Sequence, residues 1–310
     1  MKRFWIAIIL CLGILAGGAY YSNGLLHHNS VIIAQPAVDF SKEPDKQDEP
    51  ITNQKEWINI LVLGVDNWRD EVARTDLMML VSANVESNQV SIISIPRDTR
   101  VNIQGVGLTK INHANVIGEL NGGIHEGTLE SAKAVSNLLG ITINYYVKIN
   151  FRGFQKVVDA VGGIDLNLPN SVNDFETINL PAGENHLSGE EALCLAQVRY
   201  GLPNGDFDRQ QNQYYILSAL AHQVLNPSNI LKLPEVLNMV QQDLLDTNLT
   251  PYEMVTLGLK FKGISREAIK YFQLPGQSLF GPDPLVGMNV YYYVPDMEGV
   301  KKVVQEAMRI

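Results

Sequence analysis

The stretch that decides the fold is WINILVLGVDNWRDEVARTDLMMLVSANVESNQVSIISIPRDTR, residues 57–100. It contains three apolar, β-branched runs, at 58–65, 77–85 and 90–95, each with the length and composition of a buried strand. The short polar connection between the second and third runs, 86–89, favours a hairpin. We therefore predict three consecutive strands that pair in one sheet.

The directions of these strands bring polar side chains to one edge of the sheet. A short loop returns the chain after the first strand, so the end of strand one, the start of strand two and the end of strand three share an edge. Asp66, Asp76 and Arg97 occupy these positions, with Arg69 and Arg74 nearby. Two carboxylates and several guanidinium groups make a site for a divalent cation and phosphate oxygens.

Composition limits the class of protein. The chain has 310 residues and is 45% hydrophobic, which is typical of a globular protein with a sizeable core. Its formal net charge of −9 argues against a nucleic-acid partner, because no basic excess is present to replace phosphate counterions. Two cysteines, Cys11 and Cys194, are too few for a disulfide framework, and we interpret both as small apolar residues.

The N-terminus has the pattern of a membrane anchor. Lys2 and Arg3 precede an uncharged run at 4–21 of about the length that spans a bilayer. These features predict a single-pass signal anchor at 1–21 in the cell membrane, with the rest of the chain outside. Cleavage near 17–19, giving a secreted form, is the alternative. A polar, proline-containing linker follows at 22–56.

From residue 57 to 310, strands and helices alternate without a second linker, which indicates one extracytoplasmic α/β domain. The pattern favours a three-layer α/β/α sandwich with a central mixed sheet. Residues 118–127 are predicted to form a glycine-rich loop. Predicted strands lie at 145–151, 164–168, 268–274 and 290–294, and predicted helices at 128–139, 153–161, 190–199, 208–225, 228–245, 250–261 and from 296 onward.

A second cluster of polar residues lies between Arg199 and Gln213. A turn signal precedes Asp206, which is predicted to cap the next helix. On that helix Arg209 and Gln213 share a face with an apolar stripe that ends at Leu220. Arg209 is therefore expected to point into a crevice, close to the positive end of the helix dipole, where an anion binds favourably. The alternative interpretation is an Asp206–Arg209 ion pair that stabilises the helix start.

These motifs, in this order, resemble the LytR-CpsA-Psr family of bacterial cell-envelope proteins. The resemblance covers about residues 57–225 and follows a family-like anchor. Each motif is short, and the specificity comes from six of them in sequence. They are Gly64-Val65-Asp66, Arg74-Thr75-Asp76, Ser94-Ile95-Pro96-Arg97-Asp98-Thr99, Lys110-Ile111-Asn112-His113-Ala114, Asp159-Ala160-Val161-Gly162-Gly163-Ile164 and the segment 199–213.

The resemblance implies a phosphotransferase. Family members transfer a glycopolymer from a polyprenyl-pyrophosphate carrier in the cytoplasmic membrane to peptidoglycan, through a phosphodiester. By position, Asp66 and Asp76 would hold Mg²⁺. The catalytic residues would be Asp66, Arg97, Arg199 and Arg209, and the further pyrophosphate-binding residues would be Arg69, Arg74, Lys110, Asp206 and Gln213. Phosphoryl transfer depends mainly on positioning and charge neutralisation, which suits these residue types.

Two residues of the shared motifs have plainer interpretations. Lys110 either neutralises phosphate or anchors its own loop. His113 is interpreted as a structural hydrogen-bonding residue rather than a base. The aromatic run at 291–293 is predicted to be a strand rather than a sugar-binding platform.

Three positions depart from the family pattern. Gln197 and Asn212 stand where the family usually has arginine, and Asn67 stands where a basic residue is common. A charge-assisted hydrogen bond contributes roughly 1.5–3 kcal/mol, so these exchanges weaken pyrophosphate binding unless other residues compensate. Two alternatives to the transferase therefore stay open. One is a pyrophosphatase that uses water as acceptor, and the other is a non-catalytic protein that binds a lipid-linked glycan.

Overall fold

The structure, a computed structural model, describes residues 57–66, 72–84, 86–87, 89–174, 177–199, 202–224, 244–250, 253, 257 and 269–308. The predicted anchor and linker, together with Arg69, lie outside these ranges, as do most of the helices predicted at 228–245 and 250–261. Among the residues described, no helix has the length and apolarity needed to cross a membrane.

The described chain falls into two compact units. We call residues 57–148, 246–248 and 270–308 the sheet unit, and residues 149–245 and 249–269 the helical unit, in each case counting only the described positions.

Fourteen strands are described in chain order. They are β1 Trp57–Val65, β2 Thr75–Asn84, β3 Gln89–Ser94, β4 Arg100–Ile103, β5 Gly107–Lys110, β6 Tyr145–Asn150, β7 Ile164–Leu168, β8 Val172–Asp174, β9 Ile178–Leu180, β10 Gly183–Leu187, β11 Leu244–Thr247, β12 Ile269–Gln273, β13 Gly276–Pro282 and β14 Asn289–Pro295. Six form the central mixed sheet, in the order β11-β6-β1-β2-β3-β12. The prediction of a central mixed sheet is confirmed.

The six described helices are α1 His113–Gly122, α2 Ile124–Leu139, α3 Phe151–Ala160, α4 Gly189–Gln197, α5 Asp206–Val224 and α6 Met297–Met308. Helices α2 and α6 contribute to the same apolar cluster as β1, β2 and β3, through residues such as Val135, Val304, Leu61, Leu80 and Ile93. These strands are also buried at alternate positions such as Ile60, Val81 and Ile92, as expected for strands of a layered sandwich.

The first three strands form an antiparallel meander, as the sequence predicts. Leu61 lies opposite Leu80, and Leu80 lies opposite Ile93. The pairing shifts by one residue after Gly64, so that Val65 lies opposite Thr75. This bulge is at the edge where the predicted site begins, a common position for an irregularity that redirects a side chain.

The C-terminal helix closes the sheet unit. The Ser91 hydroxyl on β3 donates to the carbonyl oxygen of Ala307 on α6 at 2.7 Å. Both residues are buried, so this hydrogen bond joins a strand near the start of the unit to its last helix.

The prediction of a glycine-rich loop at 118–127 is wrong. Helix α1 runs to Gly122 and α2 starts at Ile124, with only Gly123 between them at a φ of 83°. A Cβ on Gly118 would lie 2.4 Å from the carbonyl oxygen of Glu126. The glycines therefore allow two helices to pack closely, a role that composition alone does not distinguish from a loop.

Other predicted bounds differ from the structure by small amounts. Helix α4 ends at Gln197, so Arg199 lies after the helix rather than in its last turn. Helix α5 begins at Asp206, and residues 244–245 belong to β11 rather than to a helix. The strand predicted at 164–168 is confirmed as β7, but its partner β10 and the short pairs β4–β5 and β8–β9 were not predicted, because most strands of three to five residues carry little periodic signal.

Candidate functional site at the end of the first three strands

Asp66 directly follows β1 and is held by one other residue. Its backbone N–H donates to the carbonyl oxygen of Arg74 at 3.2 Å, and its Oδ1 accepts from the backbone N–H of Arg74 at 2.9 Å. The side chain is exposed to solvent. Two hydrogen bonds therefore close the loop between β1 and β2 and leave the rest of the carboxylate accessible.

Asp76 and Arg97 complete this edge of the sheet. Asp76 is the second residue of β2, and Arg97 follows β3; their side chains form an ion pair and are 16% and 17% exposed. Partial burial, followed by repulsion from the Asp76 carboxylate, raises the pKa of Asp66. The structure thus brings together Asp66, Asp76 and Arg97 as the strand directions predict. We call these three residues the acidic edge.

The loop that carries Arg97 is held by the segment around Lys110. The Arg97 carbonyl oxygen accepts from the backbone N–H of Asn112 at 3.3 Å, and that of Thr99 accepts from Ile111 at 2.8 Å. Lys110 Nζ lies 2.6 Å from Asp98 Oδ1. Of the two interpretations of Lys110, the structure shows the contact expected for loop anchoring.

A buried polar cluster lies beside this loop. Thr109 Oγ1 is 2.7 Å from His113 Nδ1 and donates to Asp283 Oδ2 at 2.8 Å, while the Tyr292 hydroxyl donates to the same Oδ2 at 2.8 Å. Burial lowers the pKa of His113, and Asp283 opposes this effect. His113 is thus a structural hydrogen-bonding residue, as predicted. Asp283 was not predicted, although an aspartate before proline is typical of a turn in which the carboxylate binds the backbone.

The second predicted cluster lies in the helical unit, at the start of α5. Arg209 is buried, with a side chain 2% exposed, and its Nη2 lies 2.5 Å from Asp206 Oδ1. Gln213 Nε2 donates to the carbonyl oxygen of Ala196 in α4 at 3.1 Å. We call Asp206, Arg209 and Gln213 the α5 cluster. The predicted buried face is confirmed, since Arg209 and Gln213 are buried together with Leu220.

The ion pair that the sequence left as an alternative for Asp206 is present. Asp206 is the first residue of α5 rather than its cap, because the helix begins earlier than predicted. Its other carboxylate oxygen accepts from Gln210 Nε2 at 3.0 Å. Arg199 and Gln197 are both exposed, close to the end of α4, and Arg74 is exposed in the sheet unit.

The acidic edge has a donor set that suits Mg²⁺. Magnesium is bound by one or two carboxylates and completes its shell with water and substrate phosphates. Asp66 and Asp76 supply two carboxylates, and their mutual repulsion is the kind of interaction that a divalent cation relieves. Within the described ranges, no group of three or more His, Cys, Asp or Glu side chains is placed to hold a metal.

Comparison with known proteins assigns the chain to a family. The model of the LytR-CpsA-Psr family matches residues 27–309. The chain belongs to this family. Among its relatives, the polyisoprenyl-teichoic acid–peptidoglycan teichoic acid transferase TagU of Bacillus cereus is 33% identical, over 94% of this chain and 92% of TagU. TagU of Bacillus subtilis is 31% identical, over 98% of this chain and 95% of the relative.

Solved structures of family members share the fold. The crystal structure of Bacillus subtilis TagV has 32% sequence identity and a TM-score of 0.66, and the match covers 82% of this chain and 98% of TagV. A structure of TagT bound to LI-WTA has 26% identity and a TM-score of 0.63, over 91% of this chain and 100% of TagT. The mixed α/β fold with a central sheet is therefore the fold of the family.

Proposed function

We propose that this family member transfers a glycopolymer from a polyprenyl-pyrophosphate carrier to peptidoglycan, through a phosphodiester bond. The observation that carries the proposal is the acidic edge, where two carboxylates and an arginine meet at adjacent strand ends. TagU relatives more than 30% identical are named as transferases that use a polyisoprenyl carrier and peptidoglycan. Together, the family and the site favour transfer over the other reactions of a lipid pyrophosphate.

The proposed location is the outer side of the cytoplasmic membrane. The basic residues Lys2 and Arg3, followed by the uncharged run at 4–21, support a single-pass anchor. An anchored domain would meet a carrier lipid in the membrane and peptidoglycan outside it. If the leader is cleaved, the same domain would act as a secreted protein.

The proposed reaction is an in-line displacement at phosphorus. An acceptor hydroxyl oxygen forms a bond to the glycan-side phosphorus, and the bond from that phosphorus to the bridging oxygen breaks. Polyprenyl phosphate leaves with the bonding electron pair. The hydroxyl proton passes to a carboxylate, which we assign as Asp66, because this side chain is exposed directly after β1.

The remaining residues bind and orient the pyrophosphate. Arg97 stays charged and presents a planar fork to phosphate oxygens, while Asp76 fixes its orientation. We assign pyrophosphate binding also to Arg199, Arg209 and Gln213, and to Arg69 and Arg74. Lys110 and Asp206 act through their partners Asp98 and Arg209. Held by Asp66 and Asp76, Mg²⁺ would neutralise charge on the phosphate oxygens.

A binding protein is the second candidate, and two sequence features favour it. Gln197 and Asn212 carry neutral amides where the family usually has arginine. A site with fewer positive charges binds the pyrophosphate less tightly in the transition state, where negative charge on the leaving group increases. Such a protein would hold the lipid-linked glycan without turnover.

One experiment separates these functions. Purified full-length protein is incubated with polyprenyl-pyrophosphate glycan and peptidoglycan fragments, with Mg²⁺ or with a chelator. Release of lipid phosphate together with glycan attachment, both lost with the chelator, is the expected result. Release without attachment would identify a pyrophosphatase, and binding without either product would identify a receptor. Unchanged transfer in the chelator would exclude the role of Mg²⁺.

A further inference from the structure

A buried ion pair connects helix α1 to strand β6 within the sheet unit. Lys148 Nζ lies 2.5 Å from Glu119 Oε1 and donates to the carbonyl oxygen of Ile124 at 3.2 Å. The two side chains are 0% and 6% exposed. Burial lowers the pKa of Lys148, and the bond to Glu119 opposes this effect. Buried pairs of this kind are often no more stable than apolar residues of equal size, so the pair calls for a reason other than stability.

The second oxygen of the same carboxylate reaches the loop before β2. Glu119 Oε2 accepts from the backbone N–H of Ala73 at 3.1 Å. Asn115 Nδ2 donates to the carbonyl oxygen of Ala73 at 2.7 Å and to Glu119 Oε1 at 2.9 Å. Helix α1 therefore binds both backbone polar groups of Ala73, which is itself buried.

Ala73 is joined by one peptide bond to the residue that holds Asp66. The backbone N–H of Arg74 donates to Asp66 Oδ1, and its carbonyl oxygen accepts from the Asp66 N–H. Contacts therefore run without a break from Lys148 through Glu119, Ala73 and Arg74 to the Asp66 carboxylate. Fixing Ala73 on both sides limits the positions that Arg74, and so Asp66, can take.

We infer that Lys148 and Glu119 are positioning residues for the acidic edge: they fix the loop that aligns the Asp66 carboxylate, and do not themselves touch substrate. This inference rests on the proposed function for its activity readout. Groups that orient a metal ligand or a reacting group without touching the substrate typically change metal affinity or activity by about 10–100-fold. A buried charge pair suits this purpose, because its short, directional hydrogen bonds specify one geometry where apolar contacts allow several.

The test compares single and double variants of the full-length protein. Lys148→Met leaves a buried carboxylate without its cation and should lower the unfolding temperature. The double variant Lys148→Met/Glu119→Leu removes both charges, so its unfolding temperature should lie above that of Lys148→Met. It should stay below that of the wild type, because the Ala73 N–H and the Asn115 amide lose an acceptor. Its kcat for lipid phosphate release should nevertheless stay about 10–100-fold low. Recovery of kcat together with stability would overturn the inference.

Two measurements do not depend on turnover. In the double variant, the amide hydrogens of Ala73 and Arg74 should exchange faster than in the wild type, and the affinity for Mg²⁺ alone should fall by about tenfold or more. If the wild type releases no lipid phosphate, the proposed function fails, and these two measurements still decide the inference. Unchanged exchange and unchanged Mg²⁺ affinity would refute it.

Further variants control for misfolding of the double variant and for a general effect of removing charges. Asn115→Ala leaves the Lys148–Glu119 pair in place and removes the hydrogen bond to the Ala73 carbonyl, so kcat should fall by about 2–10-fold. If the double variant shows no cooperative unfolding, Asn115→Ala becomes the test of the inference. An unchanged kcat in Asn115→Ala would then count against it. The matched control is Glu130→Gln/Lys133→Met, which removes a more exposed ion pair on α2 and should leave kcat unchanged.

Discussion

The acidic edge and the α5 cluster contain similar residue types but differ in how their charges are balanced. In the α5 cluster, Arg209 is buried and already paired with Asp206 on the same helix. At the acidic edge, partial burial and then repulsion from Asp76 raise the pKa of Asp66, while Arg97 pairs with Asp76. In the α5 cluster, the positive charge of Arg209 is therefore largely neutralised by Asp206. The acidic edge has two carboxylates that an added cation would neutralise, which makes it the better candidate for the centre of the proposed chemistry.

The largest effect is expected at Asp76. Asp76→Ala removes one of two carboxylates and the ion-pair partner of Arg97. The affinity for the metal should therefore fall, and Arg97 should orient the pyrophosphate less well. We expect kcat for lipid phosphate release to fall by at least about 100–1,000-fold, the range found when one preorganised electrostatic contact is removed. The matched control is Asp165→Ala at an exposed carboxylate of β7, which should retain wild-type turnover.

If the Asp76→Ala protein kept most of its turnover, the acidic edge would not be the catalytic centre. The comparison with the α5 cluster would then reverse, and the arginine on α5 would become the first residue to examine.

Arg209 should affect substrate binding more than stability. Arg209→Lys keeps the charge but loses the planar fork, and we expect KM for the lipid-linked glycan to rise by about 10–100-fold, in line with the loss of a charge-assisted hydrogen bond. Asp206→Asn is the companion variant, because it removes the negative charge paired with Arg209 and keeps an oxygen that can accept from Gln210. If Arg209 binds ligand, this second variant should lower KM; if Arg209 serves only the helix, KM will not change in either variant.

A smaller gain is expected from restoring a charge near α4. Gln197→Arg adds a guanidinium group at an exposed position two residues before Arg199. Affinity for the lipid-linked glycan should rise by about tenfold, the value of one charge-assisted hydrogen bond at the low end of its range. Asn179→Arg, at an exposed position of β9, adds the same charge elsewhere in the helical unit and should have no effect. Equal effects of the two variants would mean that only net charge matters.

The smallest effect concerns the buried cluster beside the acidic edge. His113 has a pKa below its usual 6.5 in the folded protein, chiefly because it is buried, so the unfolded chain binds the proton more readily. The free energy of unfolding should therefore decrease as pH falls below 6.5 and towards the folded-state pKa, with a slope of at most about 1.4 kcal/mol per pH unit from this residue.

Urea unfolding between about pH 5 and 8, the range in which histidine titrates, measures this slope. The difference in slope between the wild type and His113→Gln isolates the contribution of the imidazole. Parallel pH profiles for the two proteins would show that His113 does not titrate differently on folding.

The acidic edge was predictable because its geometry follows from strand direction alone. Three consecutive strands with strong apolar patterns place Asp66, Asp76 and Arg97 at the same edge of the sheet, independently of the elements that pack on the sheet. The buried ion pair of Lys148 and Glu119 was not predictable in the same way. Lys148 belongs to a six-residue strand and Glu119 to a stretch whose glycines suggested a loop, and their contact depends on tertiary packing across 29 residues of sequence.

The hydrogen bond between Ser91 and Ala307 bears on how the chain folds. The two residues are separated by 216 positions, so the helix that shares the apolar cluster of β1, β2 and β3 is synthesised long after these strands. Contacts this distant in sequence form slowly, because a long loop must close before they contribute. A chain that stops before Met297 should expose that face and be cleaved rapidly by a protease, while the intact chain resists. The strands that carry the acidic edge would thus become stable only after the helix Met297–Met308 has been synthesised.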